Sequence, residues 1–341
     1  MSADTGHSPL HAVLLGTADL DAAAGVYRDG CGLEPLDEGV WAGANFERHF
    51  RLPAGASARY LVLTDRGSAV GRVIMLQFAP NVGRQARPAG DGCAYGLINL
   101  NFYAADIHRS TRELAARGCR PWSVPTEHPI DAATGTPTEV MLDGPDGVIL
   151  NLVELTSTDP ATRIGQMRRF VNEQQGYTRT GLTPVTTTQH CVADIAHAAH
   201  FYERACGMRL HLATQIGSPV QNEFHRYPAD TRSEVRFLVG SHLFGKVALI
   251  QPLNHRFANM AAQLEFPACG YLAQCFLVGD LDAALDGALA AGGIVHSPAT
   301  ELRVPGLSPG RAALVRAPGS GAFIQLIAGA DASLAWGTPG N

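Results

Sequence analysis

Four aspartates spaced almost evenly along the chain constrain its fold more than any other feature. Asp19, Asp106, Asp194 and Asp280 lie 87, 88 and 86 residues apart. Each follows a strand-like apolar run and precedes an apolar stripe at helical spacing. An aspartate at that junction caps a helix, because its carboxylate accepts from the first unpaired N–H groups. "TADLDAAAGVYRDGCGL" at 17–33 and "VADIAHAAHFYERACGM" at 192–208 match at 7 of 17 positions with an offset of 175. The shared residues are those the helix needs: the Asp cap, Ala23/Ala198, Ala24/Ala199, Tyr27/Tyr202, Cys31/Cys206 and the terminating Gly32/Gly207.

Each unit ends in an apolar run around one amide: Gln77, Asn151, Gln251 and Gln325. From Asp to amide the separations are 58, 45, 57 and 45, so units one and three are alike, as are two and four. The chain is an A-B-A-B duplication. Each unit reads as strand, helix, then about three strands. In unit two the later strands fall around "CRPWSV", "TEVMLDG" and "GVILNLVEL", the last two joined by the turn "GPDG". The expected domains are 8–156 (modules one and two) and 183–331 (modules three and four). Between them, 157–182 is read as a linker with a helix capped by Asp159, with Pro160 at its first position and Ile164, Met167, Phe170 and Val171 on its buried side.

The pattern of strand, Asp194–Ile195, Phe201–Tyr202 and Gly207, with "DGPDGVILNL" at 143–152, resembles the vicinal oxygen chelate (VOC) superfamily. That superfamily includes glyoxalase I, bleomycin-resistance proteins and extradiol dioxygenases. The resemblance implies an α+β fold of four βαβββ modules forming two tandem VOC domains, each curled around a cavity, as in the four-module extradiol dioxygenases. It also implies a metal ligand seven residues before each capping Asp and another on each last strand. Here those positions hold Ala12, Asn99, Thr187, Ala273 and the four amides. Alanine has no ligand atom, and threonine or a neutral amide is a poor ligand for iron or zinc. No metal ligand and no cofactor is therefore expected. The alternative is a divalent Fe, Mn or Zn that recruits His11 or His190 from a shifted register.

Strand alternation instead places neutral polar groups inside: Asn99, Asn101 and Tyr103 in the first half, Thr187, Gln189, Cys191 and Cys275 in the second. With Gln77 and Asn151 in one cavity and Gln251 and Gln325 in the other, these are the candidate substrate-binding groups. "GANFERHFRLP" and "VQNEFHRYP" precede the third strand of units one and three and align at the same offset. Arg51 meets Arg226, while Phe50 meets His225. Differences between copies point to function. His190, Glu223 and His225 are therefore the candidate acid–base residues, with Arg226 at the cavity mouth.

The net charge of -5 offers no basic field for nucleic acid or an anionic membrane. No apolar run approaches the ~20 residues of a membrane span. The N-terminal stretch lacks a secretory pattern, and the seven cysteines form no C-x-x-C pair, so a cytoplasmic location is expected. The single lysine, Lys246, leaves Schiff-base chemistry one candidate only. "GLSPG" at 306–310 is no nucleophile elbow, because Pro309 lacks the N–H an oxyanion hole needs. The function expected is metal-independent proton transfer, of isomerase or lyase type, on an oxygenated aromatic or polyketide-like molecule. The partner is that small molecule, and the chain acts as a monomer or homodimer. The alternatives are a metal-dependent extradiol dioxygenase and a sequestering resistance protein.

Overall fold

The computed structural model describes residues 8–66, 68–81 and 83–329. Module one contains β1 (Leu10–Gly16), α1 (Leu20–Ala24), β2 (Glu34–Ala42), α2 (Ala44–Phe50), β3 (Ser57–Thr64) and β4 (Arg72–Ala79). Module two contains β5 (Ala94–Tyr103), α3 (Ile107–Ala115), β6 (Arg120–Pro121), β7 (Thr126–Glu127), β8 (Thr138–Asp143) and β9 (Ile149–Glu154). A linker helix, α4 (Arg163–Phe170), follows. Module three contains β10 (Thr187–Cys191), α5 (Ile195–Cys206), β11 (Arg209–Ile216), α6 (Pro219–His225), β12 (Ser233–Val239) and β13 (Lys246–Pro252). After β14 (Ala258–Asn259), module four contains β15 (Gly270–Leu277), α7 (Leu281–Ala290), β16 (Ile294–Leu302), β17 (Gly310–Arg316) and β18 (Phe323–Gly329).

All four aspartates cap their helices. Asp19 accepts from the N–H of Asp21 and Ala22, Asp106 from Arg109, Asp194 from His197, and Asp280 from Asp282 and Ala283. In α5, Ile195, Ala198, Phe201, Tyr202, Ala205 and Cys206 form the buried stripe, and Gly207 closes the helix at φ 66°. Burying Phe201 or Tyr202 contributes roughly 2–3 kcal/mol each. The linker helix differs from expectation. Thr162, not Asp159, caps it, and Pro160 lies in the preceding turn. Ile164, Phe170 and Val171 nonetheless pack on Tyr103, Val153 and Phe244.

The modules pair differently from the expected one-with-two and three-with-four. Sheet I has the order β16-β17-β18-β15-β1-β4-β3-β2 and joins module four to module one. Sheet II has the order β11-β12-β13-β10-β5-β9-β8-β6 and joins module three to module two. The seams are antiparallel pairs of first strands: Val13 faces Gln274 in β1–β15, and Thr188 faces Leu100 in β10–β5. Helices cover the convex faces, and one apolar core spans residues of both sheets and of α1, α3, α5 and α7. A buried hydrogen-bond chain also crosses between the sheets. The Tyr202 hydroxyl donates to Gln274 Oε1 at 2.6 Å, and Gln274 Nε2 donates to Thr188 Oγ1 at 2.7 Å. Among the described residues, no helix is long and apolar enough to cross a membrane.

Candidate functional site

The stretches before the third strands of modules one and three form short helices, α2 and α6, rather than paired strands. Each lies inside the concavity of its sheet, and each ends on an arginine in the left-handed region: Arg51 at φ 51° and Arg226 at φ 55°. The repeated arginine is therefore a helix-closing residue in both copies.

What fills the two concavities differs. In sheet I, Phe50 of α2 is fully buried, with ring centroids 4.8 Å from Phe266, 5.3 Å from Phe46 and 5.4 Å from Trp41. Ala12, Leu14, Phe78, Leu272 and Phe323 complete a dry core. Three of its polar groups are linked: Gln325 Nε2 donates to His49 Nε2 at 3.0 Å, and the Cys275 thiol donates to Gln325 Oε1. Burial, reinforced by nearby His296, lowers the pKa of His49 to about 3, so its imidazole is neutral.

In sheet II, His225 stands where sheet I has Phe50, and the concavity is open. Two lobes of about 100 Å³ and 140 Å³ share Asn101, Ile130, Glu139 and Phe237 as walls. The first lobe is bounded by Asn151, Gln189, His128 and His225, with Phe224, Val235 and Ile250 as apolar wall. The second is bounded by Tyr103, Thr187, Lys246, Arg163 and His211, and α4 closes it through Ile164 and Met167.

Glu139 is the carboxylate that bounds both lobes. It lies on β8 with the parity of Met141, which faces the same interior. Its Oε2 accepts from Asn151 Nδ2 at 2.9 Å, and among the described residues its Oε1 accepts no hydrogen bond. Burial raises the carboxyl pKa, and the Asn151 bond offsets this only in part. Gln189 Oε1 accepts from Asn99 Nδ2 at 2.9 Å, which fixes the amide's orientation and leaves Nε2 for a ligand. Burial and neighbouring His128 bring the His225 pKa down to about 3, and burial also lowers that of His128. Both are neutral imidazoles near pH 7, and among the described residues neither ring nitrogen of His128 has a hydrogen-bond partner.

The candidates read from sequence separate accordingly. Thr187, Gln189, Asn151 and His225 line the cavity, with Asn99 directly behind Gln189. His190 does not: one residue out of phase, it points to the convex face. Its Nδ1 meets the Tyr202 hydroxyl at 2.8 Å and its Nε2 meets the Ser320 hydroxyl, so it is a core histidine joining the sheets. Glu223 is exposed on α6 and does not bound the cavity. Arg226 sits 4.1 Å over the Trp122 ring and donates to the Gly90 carbonyl at 3.2 Å. Gln251 Oε1 accepts from the Ile195 N–H, and Gln77 Nε2 donates to the Ala18 carbonyl, so both amides serve helix starts. Gln325 belongs to the core of sheet I. The cavity is not one per half; it joins the second module of one half to the first module of the other.

Glu139, His128 and Lys246 were not singled out as site residues from sequence. For Glu139 a signal existed: a carboxylate two residues before Met141, and so on the same face of the strand.

Among the described residues, no group of three or more His, Cys, Asp or Glu could hold a metal ion. The ligand positions implied for sheet II hold Asn99, Thr187, Asn151 and Gln251. Gln251 Oε1 is engaged with the start of α5, and Asn99 and Asn151 donate through Nδ2 to Gln189 and Glu139, so what they could offer a cation is a neutral amide oxygen each, beside the Thr187 hydroxyl. This donor set does not fit a transition metal.

Residues 9–152 match the Glyoxalase/Bleomycin resistance protein/Dioxygenase superfamily. The sequence likeness is therefore confined to modules one and two, while the likeness in fold extends over nearly the whole chain. Glyoxalase I from Zea mays superposes with a TM-score of 0.61 at 13% identity, covering 95% of this chain and 93% of its own. A protein from Bacillus subtilis subsp. subtilis str. 168, described as a candidate dioxygenase, superposes with a TM-score of 0.55 at 13% identity, covering 94% and 86%. No curated protein matches by sequence. At this level of identity the likeness is one of fold.

Proposed function

We propose that the chain is an enzyme that moves a proton on an oxygenated aromatic or polyketide-like molecule in the cavity of sheet II. The observation that carries this reading is Glu139: a carboxyl with one free oxygen, in an apolar-walled cavity that raises its pKa toward the working range of a general base. In this reading Glu139 Oε1 takes a proton from a carbon beside a carbonyl. The electron pair moves to the carbonyl oxygen, which accepts from the N–H groups of Gln189 and Asn101. Returning the proton to a different carbon completes an isomerisation. Expulsion of a leaving group from the neighbouring carbon, with the proton passed to it, completes an elimination. His225, neutral at pH 7, orients the substrate as a hydrogen-bond partner. No step uses a metal, because the residues at the ligand positions do not fit one.

The test is carbon-bound hydrogen exchange in D2O, followed by NMR over a panel of enolisable aryl ketones and short polyketide mimics. Exchange in the native chain should fall roughly 10²–10⁴-fold in Glu139→Gln. Undiminished exchange in that variant would refute the role of Glu139. Tight binding without exchange or turnover across the panel would favour a sequestering protein.

A further inference from the structure

Lys246 is the one lysine in the chain and is 5% exposed. Its Nζ donates to the Leu243 carbonyl at 2.9 Å and to the Tyr103 hydroxyl at 3.3 Å, both neutral acceptors. No carboxylate among the described residues forms an ion pair with it. A buried ammonium is ordinarily paired, since removing a charge from water without a counter-charge is costly. The lobe it faces adds a second cation, Arg163, whose Nη1 donates to the His211 carbonyl at 3.1 Å. The electropositive character is felt locally: burial, with Lys246, Arg163 and Arg209, brings His211 down to about 4. Glu139 also bounds this lobe, but its hydrogen bond is with Asn151, and it forms no ion pair with Lys246 among the described residues. The remaining walls are apolar: Val153, Leu155, Ile164, Met167, Leu212 and Phe237.

We infer that the missing counter-charge belongs to the ligand: the substrate carries a carboxylate that seats between Lys246 and Arg163, with Thr187 and Tyr103 as hydrogen-bond partners. The inference rests on the reading of this cavity as the active site and narrows its substrate to aromatic or short-chain carboxylic acids. The carboxylate would anchor the molecule at one end and present its neighbouring carbons to Glu139 at the other. Lys246 and Arg163 are positioning residues here and exchange no proton.

The test is calorimetric titration of the full chain with benzoate, phenylacetate and 3-phenylpropionate, each beside its neutral amide. At least one acid should bind in the millimolar range or better and at least ~10-fold more tightly than its amide. Lys246→Met should weaken the acid roughly 30-fold or more while leaving the amide unchanged. Should Lys246→Met fail to fold, Arg163→Gln, on a half-buried helix start, should still narrow the preference for acid over amide several-fold. Equal affinity for acid and amide, no binding of any of the three acids, or full acid affinity in a folded Lys246→Met protein would overturn the inference. Glu139→Gln separates this outcome from the functional reading. It should lower exchange by the same roughly 10²–10⁴-fold yet leave acid affinity intact or tightened, because it removes a negative group from the same cavity.

Discussion

Phe50 and His225 occupy equivalent places on α2 and α6, one in a filled concavity and one in an open one. Truncating both tests that contrast. Phe50 is 0% exposed and packs on four aromatic rings at 4.8–6.1 Å. Phe50→Ala removes its transfer free energy and leaves a cavity that rigid β-strands cannot close, a loss of about 3–5 kcal/mol. For a chain of this size, that lowers the melting temperature by roughly 5–10 °C. His225 borders the cavity, and its aromatic ring partners among the described residues are Phe224 and Tyr227, at 4.9 Å and 5.1 Å. His225→Ala should therefore cost about 1 kcal/mol. The assay is urea denaturation followed by circular dichroism, with unchanged slopes showing that the two unfolded states are comparable. Equal costs within about 1 kcal/mol, or a greater cost at His225, would refute the division into a packed core and a binding cavity.

Acid sensitivity gives a second check. Burial lowers His190 from 6.5 to about 3, so between those values the unfolded chain binds the extra proton. Stability is full above about pH 6.5 and falls as pH drops toward 3, by roughly 1.4 kcal/mol per pH unit for this group. His190→Gln should reduce the acid slope by about that amount, and an unchanged slope would contradict the assignment. Thiol labelling offers a third: six of the seven cysteines are buried and Cys93 is half-buried. One thiol should react with a disulfide reagent in the native protein and seven in urea; two or more rapid native reactions would show that the core is open.

The four-module plan was legible because capping and strand ends recur with local rules. An Asp before an apolar stripe means the same thing at 19, 106, 194 and 280. Module pairing was not legible. In an A-B-A-B chain each first strand offers the same edge, so β1 could pair with β5 or β15 by the same side chains. Tertiary context decides. Inward parity correctly placed Thr187 and Gln189 on the cavity wall but could not show that His190, one residue on, would be absorbed by Tyr202 and Ser320. Comparison of copies pointed to His225, which replaces an aromatic core residue and lies on the cavity wall. It could not place Glu139 and Lys246 around one cavity, because the walls are supplied by different modules.

The nested pairing of modules, two with three inside one with four, orders events as the chain leaves the ribosome. Sheet II can close once the third module has emerged. β1, the first strand made, must wait for β15, more than 250 residues later, before its seam edge is covered. Until then module one exposes an unpaired strand edge, so the last module acts as the clasp of the whole molecule, and truncation there would undo its beginning.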